Sequence, residues 1–541
     1  MLLTAGRRLA LIVLLLTACQ GPAEGAGSAT SASSGSARSG GTFTEAVAGS
    51  AGFLNPLFAD EDNARDINGL IYQGLTRIGA DQQPEPLLAS RIELSPNHLT
   101  YRVHLRTDVK WADGLALTAD DVMFTFHVLQ DPAYTLPGGA VWKGVEVKKV
   151  AADEVDLTLK APSAGFLNSL RVGILPQHLF PGDVGSIPTS PYSGAKAIGT
   201  GPFMVESISP DRSVVALRRN SFASPAPHLD RVVFRGYSTL DAAIAAVAAG
   251  EADAVGGLPS PAESAILARA PLAIHDARTF SFAAVFLDLD PSRSYLSNPA
   301  VRRALSQAID RRRLIREVLQ GNADPQNTPL PPSMWAFSGA AAARYPYDPA
   351  AAEKALDDAG WTVPAQGLNR SQRGRDFIVD LVAADGYPYR EIALALERQL
   401  ATIGVGVHLN VVPPSQLVTR YLGGRAFQMA LANLDNGPDP DQFAFWHSSE
   451  SAYPLNFSRL PGQGLIDKAL EDGRVAVEMP ARAAAYGELQ DLLAEAAPAI
   501  FLYEPHYEYF VNRRIGGIHL NKAIDPVDRF QYVTDWYASG G

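Results

Sequence analysis

The sequence predicts an α/β chain of more than one domain, and three observations carry that prediction. Residues 99–106 alternate strictly, with Leu99, Tyr101, Val103 and Leu105 on one face and Thr100, Arg102, His104 and Arg106 on the other. That is the pattern of a strand buried on one side. From Asn298 onward, Val301, Ala304, Leu305, Ala308, Ile309 and Ile315 form the apolar stripe of a helix. Residues 376–412 read as strand (DFIVDLVAA), helix (YREIALALERQLATIG) and strand (VGVHLNVV), a β-α-β unit and hence a partly parallel sheet.

Size and composition bound the rest. The chain has 541 residues, 47% of them hydrophobic and 19% charged, too apolar for a disordered polymer and too long for one core. At roughly 150 residues per domain it holds about three. The 57 acidic residues outnumber 46 basic ones, giving a formal charge of −11. That balance argues against nucleic acid, whose phosphates need a basic face. A single cysteine excludes an intramolecular disulfide, a Cys-rich zinc site and a thiol redox pair.

The elements follow in order. The chain opens MLLTAGRRLALIVLLLTACQ, with a positive stretch at Arg7 and Arg8 and a short apolar run from Leu9 to Leu16. This is the layout of a secretory signal, and the run is too short to span a bilayer comfortably. It ends at Leu16-Thr17-Ala18-Cys19, which resembles a bacterial lipobox and implies cleavage before Cys19 and lipidation of its thiol. Residues 20–41 are Gly/Ser-rich and read as a flexible tether. The expected result is an exported, lipid-anchored, otherwise soluble protein facing the periplasm or the outside of a bacterial cell.

Beyond the 99–106 strand, Asp113-Gly114 marks a turn, and Thr118 with Asp121 makes an acidic capping box that starts a helix. Val145 and Val147, then Val155, Leu157 and Leu159, predict a hairpin around Ala152-Asp153. SVVALRR and RVVFRGY are strands, followed by an Ala-rich helix from about Asp241 to Gly250. Asn298 caps a helix with Pro299 at its first position, ending before Gly321 and carrying a basic face toward solvent. Asp348-Pro349 starts another helix, which stops at Gly360. FQMALANL is a strand running into DNGPDPD at 435–441.

No catalytic signature emerges. GTGPFM at 199–204 begins like a dinucleotide fingerprint but lacks its third glycine and carries Pro202. Walker-type, G-x-S-x-G and H-E-x-x-H motifs are missing, and the ten histidines are scattered without an i, i+4 pair. DNGPDPDQFAFW is acidic enough for a calcium loop, but its glycine is misplaced and Trp446 stands where a bidentate Glu belongs. No enzyme, metal site or cofactor is expected.

Several blocks do form a pattern: LNPLF at 54–58, LIYQGLTRI at 70–78, LRTDVKWADGLALTADDVMFTF at 105–126, ILPQHLF at 174–180 and IGTGPF at 198–203, then NPAVRRALSQAIDRRRLIREVLQGNA at 298–323, YDPAAAEKALDDAGW at 347–361 and DNGPDPD. In this order, behind a lipobox, the chain resembles the family 5 extracellular solute-binding proteins, receptors of peptide-type ABC importers. The resemblance implies a bilobal periplasmic-binding-protein-like α/β fold: two mixed α/β lobes, a hinge and a smaller extra domain. The implied division is lobe I from 41–78, 189–287 and 503–541, the smaller domain at 79–188 and lobe II at 288–502. It also implies capture of a small solute by hinge closure and delivery to a membrane permease with its ATPase subunits. A peptide is the first expectation; nickel or a metallophore, an oligosaccharide or another solute are alternatives. A secreted hydrolase and a ligand-sensing surface lipoprotein are the readings from other classes.

In peptide-binding relatives an aspartate in the last block receives the peptide ammonium, and Asp435 is the matching position. It follows a predicted strand, where ligands of open α/β sheets bind. The block departs from those relatives in two ways. Ala432-Asn433-Leu434 lacks their usual Trp, and Pro438 is an insertion before Asp439-Pro440. The implied ligand-binding set is Asp435, Asn433, Asn436, Asn55, Trp446 and Arg425, with Tyr453 and Asn456 as further candidate pocket lining.

Overall fold

One mixed sheet ties the two halves of the molecule together. Its order is Gly406–Val412, Ile378–Ala384, Met429–Asp435, Ser281–Leu287, Ala499–Asn512, Ala254–Gly257, Thr42–Ala48, Arg231–Tyr237, Val214–Arg219 and Phe203–Ile208. The computed structural model describes residues 39–539 apart from 60, 181–183, 258–259, 290–294, 366–367, 451–459 and 461–462. The β-α-β unit is present, with Ile378–Ala384 parallel to Gly406–Val412 in a register running from Ile378↔Gly406 to Ala384↔Val412. The helix between them, Tyr389–Thr402, buries Ile392, Leu396 and Leu400.

The apolar side chains sort into two large cores rather than one. Phe43, Trp111, Phe126, Phe234, Tyr509 and Trp536 belong to the first. Phe282, Leu305, Leu381, Trp446, Tyr486 and Phe501 belong to the second. Among the described residues two stretches of chain, together carrying three strands, pass between them. Ala499–Asn512 pairs with Ser281–Leu287 through its first residues and with Leu272–Thr279 through its last. The chain from Leu272 to Leu287 is continuous but for Phe280, so two antiparallel segments cross between the halves at Phe280 and at Tyr503–Pro505.

Against the first core lies a separate antiparallel sheet, ordered Ala89–Leu94, Thr100–Leu105, Glu154–Thr158, Glu146–Ala151. Tyr101, Val103 and Leu105 point inward as their alternation requires, and Thr118 and Asp121 form the capping box of the helix Ala119–Gln130.

One element differs from its sequence pattern. The stripe from Val301 to Ile315 is carried by two helices, Pro299–Gln307 and Arg311–Val318, because Asp310 caps a new start by accepting from Arg313 N–H at 2.9 Å. Its basic residues do not all face solvent either: Arg302 is 1% exposed and Arg311 6%. Arg302 donates to Leu296 O at 2.6 Å and to Ala496 O and Ala497 O at 3.0 Å, satisfying carbonyls at the end of the helix Met479–Ala496. Arg311 donates to Phe501 O at 2.6 Å and Gln326 O at 3.0 Å, pinning its helix to the crossing strand.

Candidate functional site

The site begins where strands stop. Within Met429–Asp435 only Asn433 and Asp435 are exposed; two residues apart, they share a face at the strand's carboxyl end. Ser281 pairs with Asp435, and Asn436 N–H donates to Phe280 O at 3.0 Å, so this end abuts a crossing between the halves. A short strand, Ala523–Ile524, lies on the same side of that crossing, parallel to Arg278–Thr279. Asp525 from one half and Asp435 from the other therefore arrive head-on beside Phe280.

Their electrostatics follow from that meeting. Asp525 accepts from both Nη groups of Arg171 at 3.1 Å, and Asp528 accepts from Arg171 Nη2 at 2.9 Å. Burial pushes the Asp528 carboxyl up to about 6, with Arg171 opposing. The Asp435 carboxyl is also raised, first by desolvation in this concave surface and then by the like charge of Asp525. Gly437 N–H, which donates to Asp435 Oδ1 at 2.9 Å, pulls the other way, as do Arg65 and Arg171. A cation entering here would favour the ionised carboxylate.

The remaining acids of the block are already paired. Asp439 accepts from Arg482 Nη2 at 2.8 Å and from Asn168 Nδ2 at 3.0 Å. Asp441 accepts from Arg474 Nε at 2.6 Å. The Asn168 contact ties residues 79–188 to this loop. Ala164 N–H adds a bond to Arg474 O at 2.8 Å, and Gln82 donates to Ser333 O at 2.7 Å.

The other sequence-predicted residues distribute as follows. Asn436 is turned into the loop, donating to Pro329 O at 3.1 Å and accepting from Gln442 Nε2 at 2.7 Å. Trp446 is fully buried, its indole N–H donating to Gln442 Oε1 at 3.1 Å, so both brace the turn beneath Asp435. Asn55 is fully buried, donating to Ser193 Oγ and accepting from Leu57 N–H, each at 3.0 Å. Arg425, half-buried with φ of 50°, precedes the opposite end of the strand. At about 3.3 Å per residue that is roughly 20 Å from Asp435, and the two are not brought together. Cys19, Tyr453 and Asn456 lie outside the described residues. Arg65, Arg171 and Asp525, which face Asp435, have no motif in the sequence; distant segments meet only when the fold forms.

A cavity of about 710 Å³ opens nearby, walled by residues between 56 and 225 and between 527 and 534. That is ample for a small-molecule solute.

Two separately cored bodies, joined by a pair of crossing strands with a carboxylate at a strand end beside the crossing, define a bilobal periplasmic-binding-protein fold. The chain belongs to the bacterial extracellular solute-binding proteins, family 5, whose model matches residues 83–454. It is 25% identical over 528 residues to the oligopeptide-binding protein AppA of Bacillus subtilis, covering 96% of each chain. It is also 25% identical over 434 residues to the nickel-binding periplasmic protein of Escherichia coli, covering 78% of this chain and 80% of that one. The solved structure of the ABC transporter substrate-binding protein CtaP from Listeria monocytogenes matches with a TM-score of 0.80 and 25% identity, over 93% of this chain and 100% of that one.

Proposed function

We propose that this protein is the solute-capturing receptor of an ABC importer and that its guest is a peptide with a free α-amino group, held by Asp435. The observation that carries this reading is the placement of an exposed, partly desolvated carboxylate at a strand end, beside the segments that join the lobes. An ammonium forms a charge-assisted hydrogen bond there, stronger once closure excludes water. Asn433, on the same face, supplies a second polar contact, while Asn436, Trp446 and Asn55 act through the loops they hold. The similarity to an oligopeptide-binding relative over nearly the whole chain favours a peptide. The nickel-binding relative keeps a metal complex as the second reading.

In this proposal lobe I comprises 41–78, 189–287 and 503–541, the smaller domain 79–188 and lobe II 288–502. The lobes close about Phe280 and Tyr503–Pro505. A guest shifts that equilibrium only to the extent that it binds the closed form better. The closed form is what the permease and its ATPase subunits act on. Residues 1–18 direct export, a lipid on Cys19 anchors the chain and residues 20–40 tether it.

Mass spectrometry of whatever is released on denaturing the purified protein should find peptides. Asp435→Ala should weaken capture of free-amine peptides by about 100-fold and of their N-acetylated forms by less than about 3-fold. Equal losses would remove Asp435 from this role, and release of a metal complex instead would favour the second reading.

A further inference from the structure

The 710 Å³ cavity carries a charge opposite to that of the protein as a whole. Arg65, Arg77, Arg106 and Arg171 line it, and among the described residues of the wall Asp528 is the one acidic side chain, already bound by Arg171. The chain around it has a net charge of −11. The other carboxylates that touch these arginines, Asp62, Glu85, Asp108 and Asp525, are not wall residues. They leave donors unspent among the described contacts: Arg77 uses Nε on Glu85, and Arg106 uses Nε and Nη2 on Asp108. Arg77 is further fixed over the Tyr532 ring, 5.6 Å from its centroid. One wall residue, Thr200, is more than nine-tenths buried and keeps its hydroxyl Oγ1 without a protein partner. A buried hydroxyl without a partner is costly unless something else bonds to it.

We infer that this cavity is a second binding site, for a small multivalent oxyanion, gripped by the guanidinium forks with Thr200 as an additional donor. Planar forks suit both carboxylate and phosphate groups. Among the described residues no wall residue comes from 288–502, so an anion is held without lobe closure. Arg65 and Arg171 also face Asp435, so the cavity adjoins the proposed peptide site, while its test can succeed or fail apart from that reading. Arg106 belongs to 79–188 while Arg65 and Arg77 lie before that stretch, so a bound anion would stiffen the seam between them.

Titration calorimetry of the full chain at fixed ionic strength, with citrate and with inorganic pyrophosphate, tests this, the two probes separating carboxylate from phosphate preference. One equivalent of at least one probe should bind, undisplaced by chloride. Arg77→Gln combined with Arg106→Gln should weaken it by at least about 10-fold, while Asp435→Ala, which removes a negative charge facing Arg65 and Arg171, should leave it equal or tighter. If the double variant does not fold, Thr200→Val, which removes one hydroxyl in place, should cost about 3-fold. Failure of both anions to bind, unchanged affinity in the arginine or Thr200 variant, or loss in Asp435→Ala would each overturn the site.

Discussion

Two regions of the molecule, one around Arg529 and one around the helices that carry Arg302 and Arg311, bury arginine in opposite ways. In the half built around Thr42–Ala48, Arg529 reaches Asp66 Oδ2 at 2.5 Å and Glu45 Oε1 at 3.0 Å, and Tyr509 donates to Glu45 at 2.7 Å. Burial opposes the Arg529 charge, but Asp66 and Glu45 outweigh it and hold its pKa well above the ordinary value. At the helices Pro299–Gln307 and Arg311–Val318 of the other half, Arg302 and Arg311 meet backbone carbonyls rather than carboxylates, unlike Arg370 and Arg482 of that half, which pair with Asp357 and Asp439. Burial pulls Arg302 and Arg311 each down to about 10, still charged at neutral pH. One region neutralises charge with charge; the other spreads it over carbonyl dipoles that need donors anyway. The first arrangement locks its members together, since loss of the cation strands two buried anions. The second strands only polar groups.

That difference predicts different penalties. Arg529→Met should cost about 3–5 kcal/mol of unfolding free energy, because Glu45 and Asp66 would remain buried without a cation. Glu45→Gln should recover part of the loss. Arg302→Met should cost about 1–3 kcal/mol, the penalty of unsatisfied carbonyls, and no acid-to-amide change should rescue it. Urea denaturation of the two variants and of the Arg529→Met, Glu45→Gln pair measures all three. Equal penalties, or rescue in neither, would break the contrast.

A third buried charge sits between the halves and has neither kind of compensation in full. Glu504, on the crossing strand, is fully buried and accepts from Ser333 N–H and Oγ–H. Desolvation pushes its carboxyl up to about 7, while the Ser333 bonds pull the other way. The folded protein thus keeps a proton that the unfolded chain releases near 4.5. Stability from this group is complete below about pH 4.5 and declines as pH rises to about 7. The change is on the order of 3 kcal/mol. Glu504→Gln should flatten that part of the stability profile between pH 4.5 and 7. An unaltered slope would mean that Ser333 compensates the charge as fully as Asp66 and Glu45 compensate Arg529.

The same contrast marks what was legible in the sequence. Strands and helices were readable because their periodicity is local: alternation at Leu99–Arg106, and cap and stripe at Asn298–Ile315. Asp435 was readable because a strand end and a recurring block coincide there. Arg302 and Arg311 were not, since arginines among apolar residues read as a solvent face until the carbonyls that hold them, about 190 residues away, are in place. The break at Asp310 was hidden for a related reason, because the apolar stripe runs on across it. Arg65, Arg171 and Asp525 belong to one site only because the two crossings bring residues 65, 171 and 525 to the face where residue 435 ends its strand.

The smallest effect is expected at the site itself, and its sign sharpens the comparison. Asp435 has like charge in Asp525 before it, and Arg171 is already engaged with Asp525 and Asp528. In the guest-free protein its carboxylate is therefore a mild liability. Asp435→Asn keeps an acceptor for Gly437 N–H while removing the charge, so it should leave stability unchanged or raise it by up to about 0.5 kcal/mol. That is opposite in direction to Arg529→Met. A binding carboxylate is held in readiness for a cation that the protein does not supply, whereas the Glu45 and Asp66 carboxylates have theirs built in. A loss of more than about 1 kcal/mol in guest-free Asp435→Asn would place Asp435 with those structural acids, and the site would lose the one charge it keeps for a guest.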